Sequence, residues 1–374
     1  MAGIYIHIPF CKKACNYCNF HFSVNNTLLP EIVNAIAIEA KLNQHYLTES
    51  IETIYLGGGT PSLLTNSQLS SLFNVLRELF VFAPSIEITL EANPDDINEE
   101  KLNFWKSVGI NRLSIGVQSF FEEDLKWMNR AHNADQAIES IRLAQKAGFD
   151  NISIDLIYGG PTLTDDHWKQ NLETCFKLNI PHLSAYALTV EPKTVLAQKI
   201  KTNQLPDIDP EKQANHFNSL VTLTSNAGLE QYEISNFAIA GKKSRHNSNY
   251  WSGKHYLGLG PAAHSFNGES RQWNVANNSL YLAAIQKNTI PFEIEHLTSV
   301  QQLNEYIMTA LRTSEGISLD KIQLIGGDAA TKRLVEEAQQ FIVIGKLKRK
   351  LQYLLLTDEG KFFADGIAAE LFQL

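Results

Sequence analysis

From the first residues to about position 230, short β-rich runs alternate with longer segments of helical period. The strand candidates are 3–8 (GIYIHI), 53–56 (TIYL), 86–91 (IEITLE), 112–117 (RLSIGV), 151–156 (NISIDL) and 182–188 (HLSAYAL). Several are nearly continuous apolar runs ending on a polar residue or glycine, as expected of parallel strands covered on both faces. Between them, 31–44, 66–82, 99–108, 135–147 and 165–178 repeat apolar positions at helical spacing. Asn66 and Asp165 suit helix N-caps, and Gly109 and Gly148 suit helix stops. Six β-then-α units in a row predict an α/β fold, a partial (β/α)6 TIM-like barrel. Eight units would close it, so one side is expected to stay open. In this architecture, chemistry belongs at the C-terminal strand ends.

After about residue 230 the rhythm changes. QYEISNFA reads as one more strand, followed by a Gly- and Asn-rich stretch to about 280. Positions 301–312 and 331–341 read as helices. The terminal KLKRKLQYLLLTDEGKFFADGIAAELF reads as a hairpin and a helix, making a small α+β module of winged-helix type. The expected organisation is a barrel over 1–230, a connecting segment over 231–290 and a C-terminal module over 291–374.

Composition adds exclusions. The 374 residues are 44% hydrophobic and 19% charged, within the range of ordinary folded proteins. A net charge of −8 argues against nucleic acid as a partner. The basic run 346–350 (KLKRK) reads as a solvated hairpin. No apolar run approaches the ~18 residues of a membrane span. MAGIYIHIPF lacks a charged leader and a cleavage pattern, so the expectation is a cytoplasmic protein without a stable membrane anchor.

Three of the four cysteines, Cys11, Cys15 and Cys18, lie within eight positions in CKKACNYC, just past the first strand. Cys175, in NLETCFKLN, reads as a buried apolar residue. Burial alone has no need of the C-x3-C-x2-C spacing. Adding His21 would make a closed tetrahedral Cys3His zinc site, and soft thiolates also suit iron. Context favours iron: a closed zinc usually staples a small domain, whereas this loop leaves the first strand of a large barrel. Three thiolates can hold three irons of a [4Fe–4S] cube and leave the fourth open. Downstream, GGGTP (57–61) follows the second strand, and Glu91, Gln118 and Asp155 stand at later strand ends, with Arg130 in a connection. Carboxylates there can accept from ribose hydroxyls or an amino group, and an arginine can hold a carboxylate with two prongs.

The cysteine spacing, with Tyr17 just before the last thiol, resembles the radical S-adenosylmethionine superfamily. The resemblance implies that the open iron binds the amino and carboxylate groups of S-adenosylmethionine. It also implies that an electron from the cluster cleaves the sulfonium to a 5′-deoxyadenosyl radical. The order Tyr5-x5-Cys11, GGGTP, EANPD, GVQSF, NRAHN and DLIYGGP is similar to the oxygen-independent coproporphyrinogen III oxidase family over about the first 190 residues. That likeness implies S-adenosylmethionine contacts for Tyr5, Tyr17, Gly58, Gly59, Thr60, Glu91, Gln118, Arg130 and Asp155, with Tyr17 acting through its backbone against the adenine.

Two departures redirect the functional expectation. The oxidase carries a fourth cysteine two places after the third, where this chain has Phe20, and an extra segment before the cluster strand. Both features resemble the paralogous heme-chaperone branch of the family. Its H-N-x-x-Y-W pattern is present as His246, Asn247, Tyr250 and Trp251 in RHNSNYW. The likeness implies heme as cargo, passed to an unidentified acceptor protein, and an unidentified electron donor for the cluster. The alternative is the oxidase itself, decarboxylating two propionates of coproporphyrinogen III. On an accessible loop, His246 and two aromatics would offer an axial ligand and flat surfaces to a porphyrin, with His255 and His264 as competing ligands.

Overall fold

A computed structural model describes residues 2–373. Six parallel strands, β1 (Ala2–Ile8), β2 (Ile51–Gly58), β3 (Phe82–Ala92), β4 (Arg112–Gln118), β5 (Ile152–Tyr158) and β6 (His182–Ala187), lie side by side in chain order. Each of the first five is followed by at least one helix before the next strand, as the alternation predicts. The sheet curves without closing. Beyond β6 lie β7 (Glu230–Glu233) and β8 (Asn236–Ala238), an antiparallel hairpin. Beyond β1 the sheet continues through β9 (Tyr256–Leu259), β10 (His264–Phe266), β11 (Ser270–Asn274) and β12 (Phe292–His296). β9 runs parallel to β1, and the last three are antiparallel.

Three expectations are revised. QYEISNFA is two strands, β7 and β8, turning at Ile234–Ser235. The stretch 231–290, expected as a connector, contains five strands of the main sheet, and β12 carries that sheet past 290. The first core accordingly runs as far as Ile285, and a separate second core begins at Leu303. The N-caps fall one residue earlier than expected. Thr65 forms a capping box with Gln68, and Thr164 accepts from His167 N, ahead of Asn66 and Asp165. Gly109 and Gly148 do end their helices, at φ 98° and 82°, a conformation open to glycine.

The strands are also less uniformly apolar than their sequence suggests. On β4, Leu113, Ile115 and Val117 point outward to the helices and are fully buried, while Arg112, Ser114, Gly116 and Gln118 point into the barrel. β5 repeats this with Ile152, Ile154 and Leu156 in the core and Ser153, Asp155 and Ile157 facing the interior. A closed barrel fills its interior with branched aliphatics. This interior is polar and empty enough to hold a ligand.

The C-terminal module packs Ser299–Leu311, Leu319–Val343 and Ala364–Glu370 around a small sheet of β13 (Ile317–Ser318), β14 (Leu347–Lys350) and β15 (Tyr353–Leu356). The longest helix breaks at Gly327, whose φ is 76°. Backbone bonds from Ile234 N to Arg312 O (3.1 Å) and from Ser314 N to Tyr232 O (3.0 Å) fasten the module to the β7 edge. Its residues Lys361, Phe362 and Phe363 thereby face the open side of the barrel. Among the described residues, no helix is long and apolar enough to cross a membrane.

Candidate functional site

The cysteine loop leaves β1 and is closed at its base by Cys11 N to Ser23 O (3.0 Å) and Ser23 N to Pro9 O (2.9 Å). Asn129 Nδ2 donates to Ala14 O at 2.8 Å and ties the far side of the loop to the β4–β5 connection. All three thiols face a cavity of about 1260 Å³ that occupies the barrel interior. Burial pushes the Cys11 thiol up to about 11, partly opposed by a hydrogen bond with Thr60, and raises Cys18 as well. Such thiols stay protonated until a cation displaces the proton, which is how a metal claims them.

The fourth ligand of the zinc alternative, His21, bonds Asn278 Oδ1 through Nε2 at 2.7 Å. Among the described residues, no three His, Cys, Asp or Glu side chains converge on one point as a single ion requires. A cube sets a separate iron under each thiolate, so it does not ask for that convergence.

GGGTP packs directly against this loop. Gly58 adopts φ 102°, and a Cβ at Gly59 would lie 2.6 Å from Phe10 O, so only glycine allows the approach. Glu91 accepts from Tyr55 Oη (2.8 Å) and Gly58 N (3.2 Å). Burial pushes its carboxyl up to about 8, with the Asp155 charge adding to the rise. Burial likewise lifts Asp155 to about 6, although Ser114 Oγ donates to it at 3.3 Å. Two buried carboxylates facing one cavity fit the cationic end of a ligand such as S-adenosylmethionine.

Gln118 holds a left-handed φ of 69°, a strained conformation that aims its amide into the cavity. Arg130 donates through Nη2 to Asn93 Oδ1 and Gly116 O, both at 2.7 Å, and through Nη1 to Cys15 Sγ at 3.2 Å. Its Nε is buried without a partner. The structure therefore gathers Cys11, Cys15, Cys18, Tyr17, Gly58, Gly59, Thr60, Glu91, Gln118, Arg130 and Asp155 around one cavity. These residues fit a cluster with S-adenosylmethionine at its open iron.

Tyr5 is the exception. Its ring stacks on Tyr55 at 6.2 Å behind the cavity wall, and its hydroxyl donates to His7 Nδ1 at 3.0 Å. The direction follows from His7 Nε2, which must carry the proton it gives to His21 O at 2.9 Å.

RHNSNYW differs more from expectation. It forms the helix Arg245–Ser252, started by the Ser244 side chain and stopped by left-handed Gly253, and it plugs the N-terminal end of the barrel. His246 is 1% exposed, because Glu87 accepts its backbone N–H (3.1 Å) and both ring nitrogens are engaged. Nδ1 meets Thr53 Oγ1 and Nε2 meets Tyr250 Oη, each at 2.8 Å. Burial lowers its pKa to about 3, so the ring is neutral. Only Asn247 of the motif reaches the cavity, while Trp251 packs under the Arg312 guanidinium at 5.5 Å. His255 pairs with Glu49 at 2.7 Å, and His264 stacks on Trp273, both away from the cavity lining.

The sequence reading passed over the opposite wall. Phe217, Arg312, Lys361, Phe362 and Phe363 line it, and Tyr55 and Arg112 line the barrel side. The pair of aromatics after a lysine in DEGKFFADG was its one visible signal.

An open polar barrel with three thiols at its mouth is the arrangement of a radical S-adenosylmethionine protein. The sequence matches the Radical SAM superfamily over residues 5–175 and the HemN C-terminal domain over residues 297–363. The chain is 33% identical to the heme chaperone HemW of Bacillus subtilis over 98% of both chains. It is 32% identical to HemW of Mycobacterium tuberculosis, covering 99% of this chain and 94% of that one. The chain belongs to the HemW family. Its fold is shared with the coproporphyrinogen III oxidase HemN of Escherichia coli, at a TM-score of 0.86 and 22% identity, over 100% of this chain and 90% of that one.

Proposed function

We propose that the protein is a cytoplasmic heme chaperone, which binds heme next to a [4Fe–4S] cluster carrying exchangeable S-adenosylmethionine and passes the heme to an acceptor protein. The observation that carries this reading is the size and lining of the cavity. At about 1260 Å³ it exceeds the usual ~300–1,000 Å³ of a single-ligand pocket. Its mouth holds the thiols and carboxylates, and its far side is aromatic, with Phe217, Phe362 and Phe363 offering flat apolar surface.

When bound, the cluster supplies an electron and a Lewis-acidic iron. Cys11, Cys15 and Cys18 hold it, and the Gly58–Gly59 backbone approaches the ligand closely. Glu91 and Asp155 accept from the ligand's hydroxyl and amino groups. Arg130 orients the Cys15 sulfur and keeps Nε for a further acceptor. Heme contact by RHNSNYW runs through Asn247, and His246 engages iron only once the Tyr250 hydroxyl leaves Nε2.

The oxidase is the second reading, favoured by the shared fold. Against it, Phe20 stands 66% exposed at the cavity rim where the oxidase has its fourth cysteine. The test is anaerobic reconstitution with iron and sulfide, followed by hemin titration. A saturable Soret shift is expected, and its absence would reject the chaperone. Robust protoporphyrinogen formation from coproporphyrinogen III would install the oxidase instead.

A further inference from the structure

Arg112 begins β4 and turns its side chain into the barrel. It is 1% exposed, yet its Nε and Nη2 are buried with no hydrogen-bond partner. No nearby carboxylate hydrogen-bonds it, although its charge reaches Asp155 and holds that carboxyl down against burial. Glu87 takes the backbone N–H groups of Arg245 and His246, Asp155 takes Ser114 Oγ, and Glu91 takes Tyr55 Oη and Gly58 N. A buried guanidinium left with two open donors is a fork waiting for an acceptor that the chain does not supply.

The acceptor's chemistry follows from the fork and its depth. Nε and Nη2 lie on one edge of the guanidinium, the edge that meets a carboxylate through two parallel bonds. Carboxylates could come from the methionine end of S-adenosylmethionine or from a porphyrin propionate. The methionine end belongs at the thiols, in the mouth. Arg112 stands six residues before Gln118, about 20 Å along the tilted strand, and two residues below Ser114, which pairs with Glu91. Around it the cavity is lined by Ser153, Ser184, Asn247 and Arg312, whose own Nε is also buried and unpartnered.

We propose that Arg112 is the anchor for a propionate of bound heme, its Nε–Nη2 edge taking the carboxylate at the deep end of the cavity. This rests on the heme reading above and adds a residue that determines which tetrapyrroles are accepted. Tetrapyrroles with free propionates are accepted, and their esters are discriminated against.

The test is a Soret titration of the reconstituted protein with hemin and with its dimethyl ester, in the wild type, Arg112→Gln and Arg112→Lys. The wild type binds hemin more tightly than the ester. Arg112→Gln weakens hemin roughly 10- to 100-fold, the effect of a lost charge-assisted contact, and leaves the ester unchanged. Arg112→Lys falls between. Equal hemin affinity in wild type and Arg112→Gln overturns the proposal. If Arg112→Gln fails to fold, equal affinity of the wild type for hemin and ester overturns it in the same way. Lost S-adenosylmethionine affinity with intact hemin binding reassigns Arg112 to the methionine carboxylate and also overturns it. A wild type that binds hemin not at all rejects the chaperone reading itself, a result separate from the others.

Discussion

The two ends of the barrel are built from similar residues and treat them differently. At the floor, His246 has both ring nitrogens bonded, Thr53 is shared between His246 and Asn249, and Glu87 receives two backbone N–H groups. At the mouth, Cys11 is a raised thiol, Glu91 a raised carboxyl, and Arg130 keeps an idle Nε. A polar group buried with its partners stabilises a fold, and one buried without them costs stability until a ligand arrives. The floor is thus largely finished by the chain, while the mouth is left open for the proposed cofactors. Arg112, with its register neighbour Thr89 whose Oγ1 is also buried without a partner, breaks the pattern at the floor end.

The contrast is broken most severely at the thiols. Replacing Cys15 with serine should drop iron from about four per chain to near none after anaerobic reconstitution, while the fold stays intact by circular dichroism. The floor should respond in the opposite way. His246→Ala takes the partner from the Tyr250 hydroxyl and leaves Thr53 Oγ1 only the long 3.4 Å contact from Asn249 Nδ2, so stability should fall by about 2–4 kcal/mol in denaturant melts, with iron content unchanged.

Glu91→Gln should weaken S-adenosylmethionine binding about tenfold or more without loss of iron. In the native protein, burial keeps Glu91 protonated up to a pKa of about 8. The ionised form is the better partner for a cation, so S-adenosylmethionine affinity should rise between pH 6 and 9 and level off above that pKa. The Glu91→Gln variant should lose this slope, and equilibrium binding across pH reads it directly.

The smallest effect is expected of Tyr250→Phe, which costs about 1 kcal/mol and frees His246 Nε2. Hemin should then bind more tightly, and an unchanged titration would remove His246 from the ligand role.

Much of the mouth was legible because its chemistry is local. Three thiols in one loop, a glycine turn after β2 and polar strand ends are each carried by a few adjacent residues. The floor and the far wall depend on distant pairing. β9, β10 and β11 are strands of only three to five residues, set in a Gly- and Asn-rich stretch, that hold only because β1 offers an edge to pair with. The helix carrying His246 is polar along most of its length, so no apolar stripe announces it. Its bounds come from Ser244 and Gly253. The inward direction of Arg112 is set by strand alternation, which is hidden when outward aliphatics dominate the run.

In the proposed cluster one iron has no protein ligand, and the role of the mouth turns on it. The direct measurement is electron paramagnetic resonance of the reduced, reconstituted cluster, with and without S-adenosylmethionine labelled with ¹⁵N at its amino group. The account predicts a changed spectrum with coupling from the labelled nitrogen. An unchanged spectrum, or a fourth ligand contributed by a side chain of this protein, would contradict it.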